Sequence, residues 1–226
     1  MRRLSPNLLR IATHIGALVP LAILISDALN NNLSVNPIQE LSQRTGKIAL
    51  ILLVLSLVCT PLNTVFGFRQ ALVLRRPLGL YAFAYAALHL LIFAVLDYGL
   101  DPALLREAII EKRYVLVGFA AFLLLLPLAI TSTKGFQRRL GKHWKQLHRL
   151  VYLAALLAIV HYVWLVKADV REPLLYGAIV AGLLALRLPL VRGVLKRLRQ
   201  SWERSHPRKS TQGQRGESDL ASSPEA

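Results

Sequence analysis

Residues 114–133 read YVLVGFAAFLLLLPLAITST, without a single Asp, Glu, Lys or Arg. A helix rises about 1.5 Å per residue and the hydrocarbon core of a bilayer is about 30 Å thick, so roughly 20 apolar residues suffice to cross it. This stretch passes outright. Residues 48–68 and 77–96 are equally free of charge and pass as well. Three further stretches pass with help: 8–26, which includes Arg10, 150–166, and 173–191, which carries Arg187 near its end. An arginine one turn from the interface can lay its aliphatic stem along apolar surface and lift its guanidinium to the headgroups.

In lipid, only helices and closed barrels satisfy every backbone polar group. Long, continuously apolar runs lack the alternation of barrel strands, so they predict helices. The expected fold is an all-α integral membrane bundle of six transmembrane helices, at about 8–26, 47–66, 77–97, 114–132, 148–166 and 173–191. Residues 1–195 form that domain, and 196–226 a basic then polar tail. From about Ser201 the tail is rich in Ser, Gly, Pro and charge, cannot bury a core, and is expected to be disordered. Pro61, Pro127 and Pro189 are expected to kink or end spans. Gly177, Ala178, Ala181 and Gly182 give the sixth span small residues suited to close packing. No internal repeat is evident.

The charges lie between these runs. Against 12 Asp and Glu the chain has 28 Lys and Arg, a net charge of +16. Nucleic-acid binding wants a basic patch on a folded polar surface, and no such domain is present. The distribution is topological instead. Basic residues dominate the N-terminus (Arg2, Arg3, Arg10), the second connection (Arg69, Arg75, Arg76), the fourth (Lys134, Arg138, Arg139, Lys142, Lys145) and the tail (Arg192, Lys196, Arg197, Arg199). The other connections are mixed or acidic. The positive-inside rule puts the basic ones, and so both termini, in the cytoplasm. The first run reads as a retained span, since Ser26-Asp27-Ala28-Leu29-Asn30 is no small-x-small cleavage site. Cys59, alone inside an apolar run, excludes an intrachain disulfide, a cysteine-held iron–sulfur cluster and a CxxCH haem attachment.

Candidate chemistry rests on the six histidines. His206 in the tail and His143 in a basic loop read as solvated or headgroup-facing. His14, His89, His148 and His161 fall in spans, where an unpartnered imidazole is costly and hence a functional candidate. His89 lies about 18 Å along the third span and His161 about 21 Å along the fifth, both counted from the cytoplasmic edge. The two share a level, and two neutral imidazoles on facing helices can clamp a haem iron from both sides. His148 lies about 20 Å inward of His161, near the cytoplasmic surface. It could serve a second haem, contact a propionate, flavin or quinone, or sit at the headgroups. Counting back the same 13 residues from His89 lands on Arg76, which cannot ligate iron. On an ideal helix His148 and His161 would also not share a face. For His14, hydrogen-bonded packing is the expected role. A rival for all of these is a haem-free transporter or scaffold whose histidines merely join helices. The segment 134–144, KGFQRRLGKHW, reads as a positive-inside loop with an interfacial tryptophan. It could also receive flavin phosphates or a soluble reductase. No GxGxxG or GxxxxGK follows a strand, so reducing equivalents must come from quinol or from a separate protein.

Several stretches together carry a resemblance: Arg75-Arg76-Pro77-Leu78-Gly79-Leu80 leading to His89, Pro127-Leu128-Ala129-Ile130-Thr131-Ser132, Arg138-Arg139-Leu140-Gly141 with Trp144, Leu147-His148-Arg149-Leu150-Val151-Tyr152, and His161-Tyr162-Val163-Trp164. Over roughly residues 8–195 the chain resembles the haem-binding membrane subunits of bacterial periplasmic methionine sulfoxide reductase systems, within the ferric-reductase-like transmembrane superfamily. The resemblance implies b-type haem and FMN in a bacterial inner membrane protein. It implies electrons arriving from the quinone pool or a cytoplasmic flavin reductase. They would leave to a periplasmic molybdenum-cofactor subunit, which reduces methionine sulfoxide in proteins and holds the catalytic site. It also implies axial ligation by His89 and His161. Two-haem members of the superfamily carry two histidines on each of the third and fifth helices with spacing near 13. Here only His89 stands on the third, so the match supports a single haem. A related cytochrome serving iron or another extracytoplasmic acceptor is the alternative.

Overall fold

Apolar length makes the helices of this chain, and polar caps decide where they begin. A computed structural model describes residues 5–166, 168–188, 191 and 193, and the regular elements among them are all helical. α1 (Pro6–Leu29) opens at Ser5, whose side chain accepts from the Leu8 amide, with Pro6 placed where a missing N–H costs nothing. α2 (Pro37–Phe66) opens in the same way at Asn36 and Pro37, and closes on the left-handed Gly67. α3 (Ala71–Leu91) continues into a π-helical segment, Ile92–Asp97. Then come α4 (Pro102–Glu111), α5 (Arg113–Ile130), α6 (Lys134–Leu140), α7 (Lys142–Leu147), α8 (Leu150–Leu165) and α9 (Arg171–Ala185).

Five stretches are long and apolar enough to cross a membrane: Asn7–Leu29, Pro37–Phe66, Ala71–Asp97, Arg113–Ile130 and Lys142–Leu165. The expected sixth, 173–191, coincides in part with α9, whose 15 residues fall short of a full crossing. Pro189 and Leu190 lie outside the described residues, as do Arg2, Arg3, Lys167, Arg192, His206 and the tail.

Several boundaries differ from the sequence expectation. α2 starts at Pro37 rather than near 47 because its first turns are tied together. The Ser34 amide donates to Glu40 at 2.5 Å, Arg44 pairs with Asp27 at 2.6 Å, and Arg44 also pairs with Glu40 one turn earlier. At 30 residues α2 is about 45 Å long, more than a bilayer core requires. α3 starts at Ala71, so Arg75 and Arg76 stand in helical turns and Pro77 lies inside the helix. The third connection contains α4, because Asp101 accepts from the amides of Ala103 and Leu104 just before Pro102. The basic fourth connection folds into α6 and α7, separated at Gly141 with φ of 49°.

Packing centres on two helix pairs, α2 with α3 and α5 with α8. Of the α2 window 44% is buried, against 11% for α1, so α2 is the central helix and α1 a peripheral one. Leu50, Leu53, Leu57, Tyr85, Leu125 and Val180 form the heart of the core. Ala154 and Ala155 are fully buried, and their small side chains let α8 approach its neighbours closely. Gly177 does the same for α9: a Cβ there would stand 3.3 Å from Ile159. Gly182 has open space around it, so only part of the expected small-residue face is used. Tyr85 fastens α1 by donating to the Ala17 carbonyl at 2.7 Å. Beyond α9, Arg187 donates to the Leu57 carbonyl at 2.7 Å and lies over the Tyr152 ring, 4.7 Å from its centroid.

Candidate functional site

α3 and α8 bring His89 and His161 together. The ring centroids are 6.1 Å apart and the planes cross at 78°. Each ring is held from behind by a backbone carbonyl on the partner helix of its pair. Nδ1 of His89 donates to the Ser42 carbonyl on α2 at 2.8 Å, with the Ser42 hydroxyl a further 3.3 Å contact. Nδ1 of His161 donates to the Tyr114 carbonyl on α5 at 2.7 Å. A carbonyl has no proton to give, so in the neutral ring Nδ1 must carry the hydrogen and Nε2 keeps its lone pair. A ligating histidine needs that tautomer, and fixing its far nitrogen is the usual way to aim it.

Space for both rings comes from glycine. A Cβ on Gly118 would stand 2.6 Å from Nδ1 of His161 and 2.8 Å from Cε1. A Cβ on Gly46 would stand 3.2 Å from Nδ1 and Cε1 of His89. In both pairs the glycine lies one helical turn after the accepting carbonyl, and 47 residues separate carbonyl and imidazole. One register shift therefore maps Ser42, Gly46 and His89 onto Tyr114, Gly118 and His161. These three correspondences form a local repeat, where none was evident in the sequence. It is carried by one backbone carbonyl, one missing side chain and one imidazole, and the first two leave no side-chain chemistry to find. The aligned glycines were the available signal.

The donor set fits haem. Two iron–nitrogen bonds of about 2 Å, with each ring centre roughly 1 Å behind its nitrogen, put the centroids of an axial pair about 6 Å apart. Among the described residues, no group of three or more His, Cys, Asp and Glu could hold a bare metal ion. Two imidazoles brought together from different helices suit a metal whose remaining positions are already filled by a macrocycle.

The other sequence candidates fall elsewhere. His148 lies in the turn between α7 and α8, so the ideal-helix rotation that separated it from His161 does not apply to a helix broken there. Its Nδ1 donates to the Trp144 carbonyl at 3.1 Å, the Trp144 ring stacks on it with centroids 3.9 Å apart, and its buried Nε2 makes no hydrogen bond among the described residues. Trp144 is anchored in turn, donating to the Thr131 carbonyl at 2.9 Å. His148 thus has the same free-Nε2 tautomer as the central pair, and the register shift that relates the two pairs places Arg76 at its counterpart position. His14 and Tyr81 share a 2.9 Å hydrogen bond between α1 and α3, the packing role expected for His14. His143 is exposed and 3.2 Å from Gln146 Oε1. Cys59 is buried, its thiol 3.3 Å from the Leu55 carbonyl.

Around the pair lies a polar network. Lys47, next to Gly46, pairs with Glu172 at 2.5 Å, and Tyr162, next to His161, donates to the same carboxylate at 3.0 Å. Glu172 therefore links α2, α8 and α9. The Lys47 ammonium beside it holds its carboxyl below the ordinary value, with Tyr162 adding to the effect.

Residues 45–159 match the family described as the ferric reductase like transmembrane component. The protein-methionine-sulfoxide reductase haem-binding subunit MsrQ of Xanthomonas axonopodis pv. citri is 45% identical over 77% of this chain and 83% of its own length. The subunit of the same name from Rhodospirillum rubrum is 45% identical over 81% of this chain and 89% of its own. That from Xanthomonas campestris pv. campestris strain B100 is 43% identical over 78% and 84%. No solved structure matches the chain. With the imidazole pair inside the matched helices or one turn beyond them, and relatives this similar over most of their length, the chain belongs to the MsrQ family of ferric-reductase-like membrane proteins.

Proposed function

We propose that this protein is the b-type cytochrome subunit of a methionine sulfoxide reductase system, holding haem between His89 and His161. The observation that carries this reading is the pair itself: two imidazoles with centroids 6.1 Å apart, each with Nδ1 capped by a carbonyl. When bound, haem supplies a one-electron couple inside a medium that would otherwise exclude charge. The residues do the rest. Ser42 and Tyr114 orient the rings, Gly46 and Gly118 make room for them, and the surrounding apolar helices keep water away.

The chain lies in a bacterial inner membrane with six spans and both termini in the cytoplasm. The sixth span of this reading is the one expected at 173–191, of which α9 covers the first part. The alternation of basic and mixed connections supports this orientation. Electrons enter from the quinone pool or a cytoplasmic flavin reductase. They leave to a periplasmic molybdenum-cofactor subunit that carries the sulfoxide-reducing site. The names of the relatives support the methionine sulfoxide assignment. FMN and His148 belong to the cytoplasmic side of this scheme, with the free Nε2 of His148 offering a cofactor contact. The ferric-reductase-like match favours one second reading, a transmembrane cytochrome for a different extracytoplasmic acceptor.

Optical spectra of the purified protein test the reading. The wild type should show a Soret band and a reduced b-type α-band, and His89→Ala and His161→Ala should each lose them. Full haem retention in both variants would overturn the ligand assignment.

A further inference from the structure

We infer that the cavity lined by Arg113, Tyr114 and Trp164 receives an anionic group of the extracytoplasmic electron acceptor, and that electrons leave the protein there. The inference rests on the haem reading and topology proposed above.

The cavity is a shallow, open depression with a volume of about 360 Å³ at the start of α5 and the end of α8. Three features single it out. First, it abuts the axial pair: the carbonyl that holds His161 belongs to Tyr114, and the two rings are 6.2 Å apart. A short hydrogen-bonded route thus runs from the iron-facing imidazole to the cavity wall. Second, Arg113 is the one charged lining residue, and its guanidinium has no ion-pair or hydrogen-bond partner among the described residues. An unpaired guanidinium offers a bidentate fork to a carboxylate or phosphate. Third, Trp164 lies one turn past His161 and is 51% exposed, a large aromatic face left open where a partner could cover it. Arg113 lines the depression together with Tyr114 and Trp164, and its guanidinium suits an acidic group on a docking surface. The neighbouring Lys112 is engaged elsewhere, donating to the Tyr98 hydroxyl at 2.7 Å. With haem held by His89 and His161, one electron would pass to the acceptor at each encounter, leaving the haem oxidised and the acceptor reduced by one unit, with no bond or proton changed.

The test uses the haem-loaded full chain in nanodiscs of zwitterionic lipid, reduced and then mixed in a stopped-flow instrument with ferricyanide or hexaammineruthenium(III). Arg113→Glu should slow reoxidation by the anionic acceptor at least about threefold and speed it for the cationic one. High salt should abolish the crossover. Arg113→Gln should give the intermediate value for each. The Soret band and dithionite reduction should be unchanged, which shows that the haem site is intact. Equal rates for wild type and Arg113→Glu with both acceptors would overturn the inference, and this is the outcome expected if Arg113 only holds a lipid phosphate. Equal slowing with both acceptors would overturn it too, as general damage. A wild-type protein without a Soret band would overturn this inference and the haem reading together.

Discussion

Replacing Gly118 with alanine puts a methyl group 2.6 Å from Nδ1 of His161, 2.8 Å from Cε1 and 3.1 Å from Cγ. Ordinary contact begins at 3.4 Å, so the ring must retreat by about 0.8 Å. Retreat has consequences on both sides of the imidazole. The 2.7 Å bond to the Tyr114 carbonyl is disturbed, worth about 1 kcal/mol. Nε2 moves by several times the ~0.2 Å that metal–ligand distances tolerate. Overpacking of a helix contact adds about 1–3 kcal/mol. Disturbing the group that aims a metal ligand typically costs roughly 10–100-fold in affinity, and that range is expected here. Gly46→Ala is milder, since its contact at 3.2 Å with His89 asks for only a few tenths of an ångström. Gly16→Ala is the control, with nothing within 4 Å. Haem per protein, measured after identical purification, should therefore rank Gly16→Ala at wild type, Gly46→Ala slightly lower and Gly118→Ala lowest. A fully loaded Gly118→Ala with an unchanged Soret band would refute the cradle.

Two further outcomes follow from the same geometry. Glu172 joins Lys47 to Tyr162, and its folded pKa is lowered. Its contribution to stability is therefore complete above the ordinary carboxylate value and is lost as pH falls through the lowered one. Thermal unfolding of Glu172→Gln should show less loss of stability on acidification than the wild type, and Lys47→Glu with Glu172→Lys should recover much of the neutral-pH stability. Identical acid profiles for wild type and Glu172→Gln would contradict this. His148→Ala should keep the haem signal of the His89–His161 pair, because His148 contacts Trp144 rather than that pair. Complete haem loss in this variant would show that His148 helps to hold the central site.

Much of this was legible in the sequence, for identifiable reasons. Uncharged runs mark helices wherever lipid is the solvent, so 48–68, 77–96 and 114–133 each fall within or closely match a described span. The meeting of His89 and His161 followed from depth, because rise per residue is fixed and both spans were counted from the same side. Polar helical turns were harder to read. Glu40, Arg44, Arg75 and Arg76 look like loop residues by composition, yet all four stand in helical turns, Glu40 and Arg44 held there by a cap and ion pairs. The break at His148 was hidden because α7 and α8 together have the hydropathy of one span. The carbonyls of Ser42 and Tyr114 could not be read at all, since every residue has one and only the fold selects which face a ring. α9 is the weakest point of the sequence count, its 15 described residues being too short to confirm a sixth crossing.

The most direct test of the central pairing is a low-temperature EPR spectrum of the oxidised protein in membranes. Imidazole planes crossing near the observed 78° predict a low-spin ferric signal with strong g anisotropy, lost together with the haem in His161→Ala. A wild-type spectrum that is already high-spin, or a low-spin signal that survives in both His89→Ala and His161→Ala, would contradict axial ligation by these two residues.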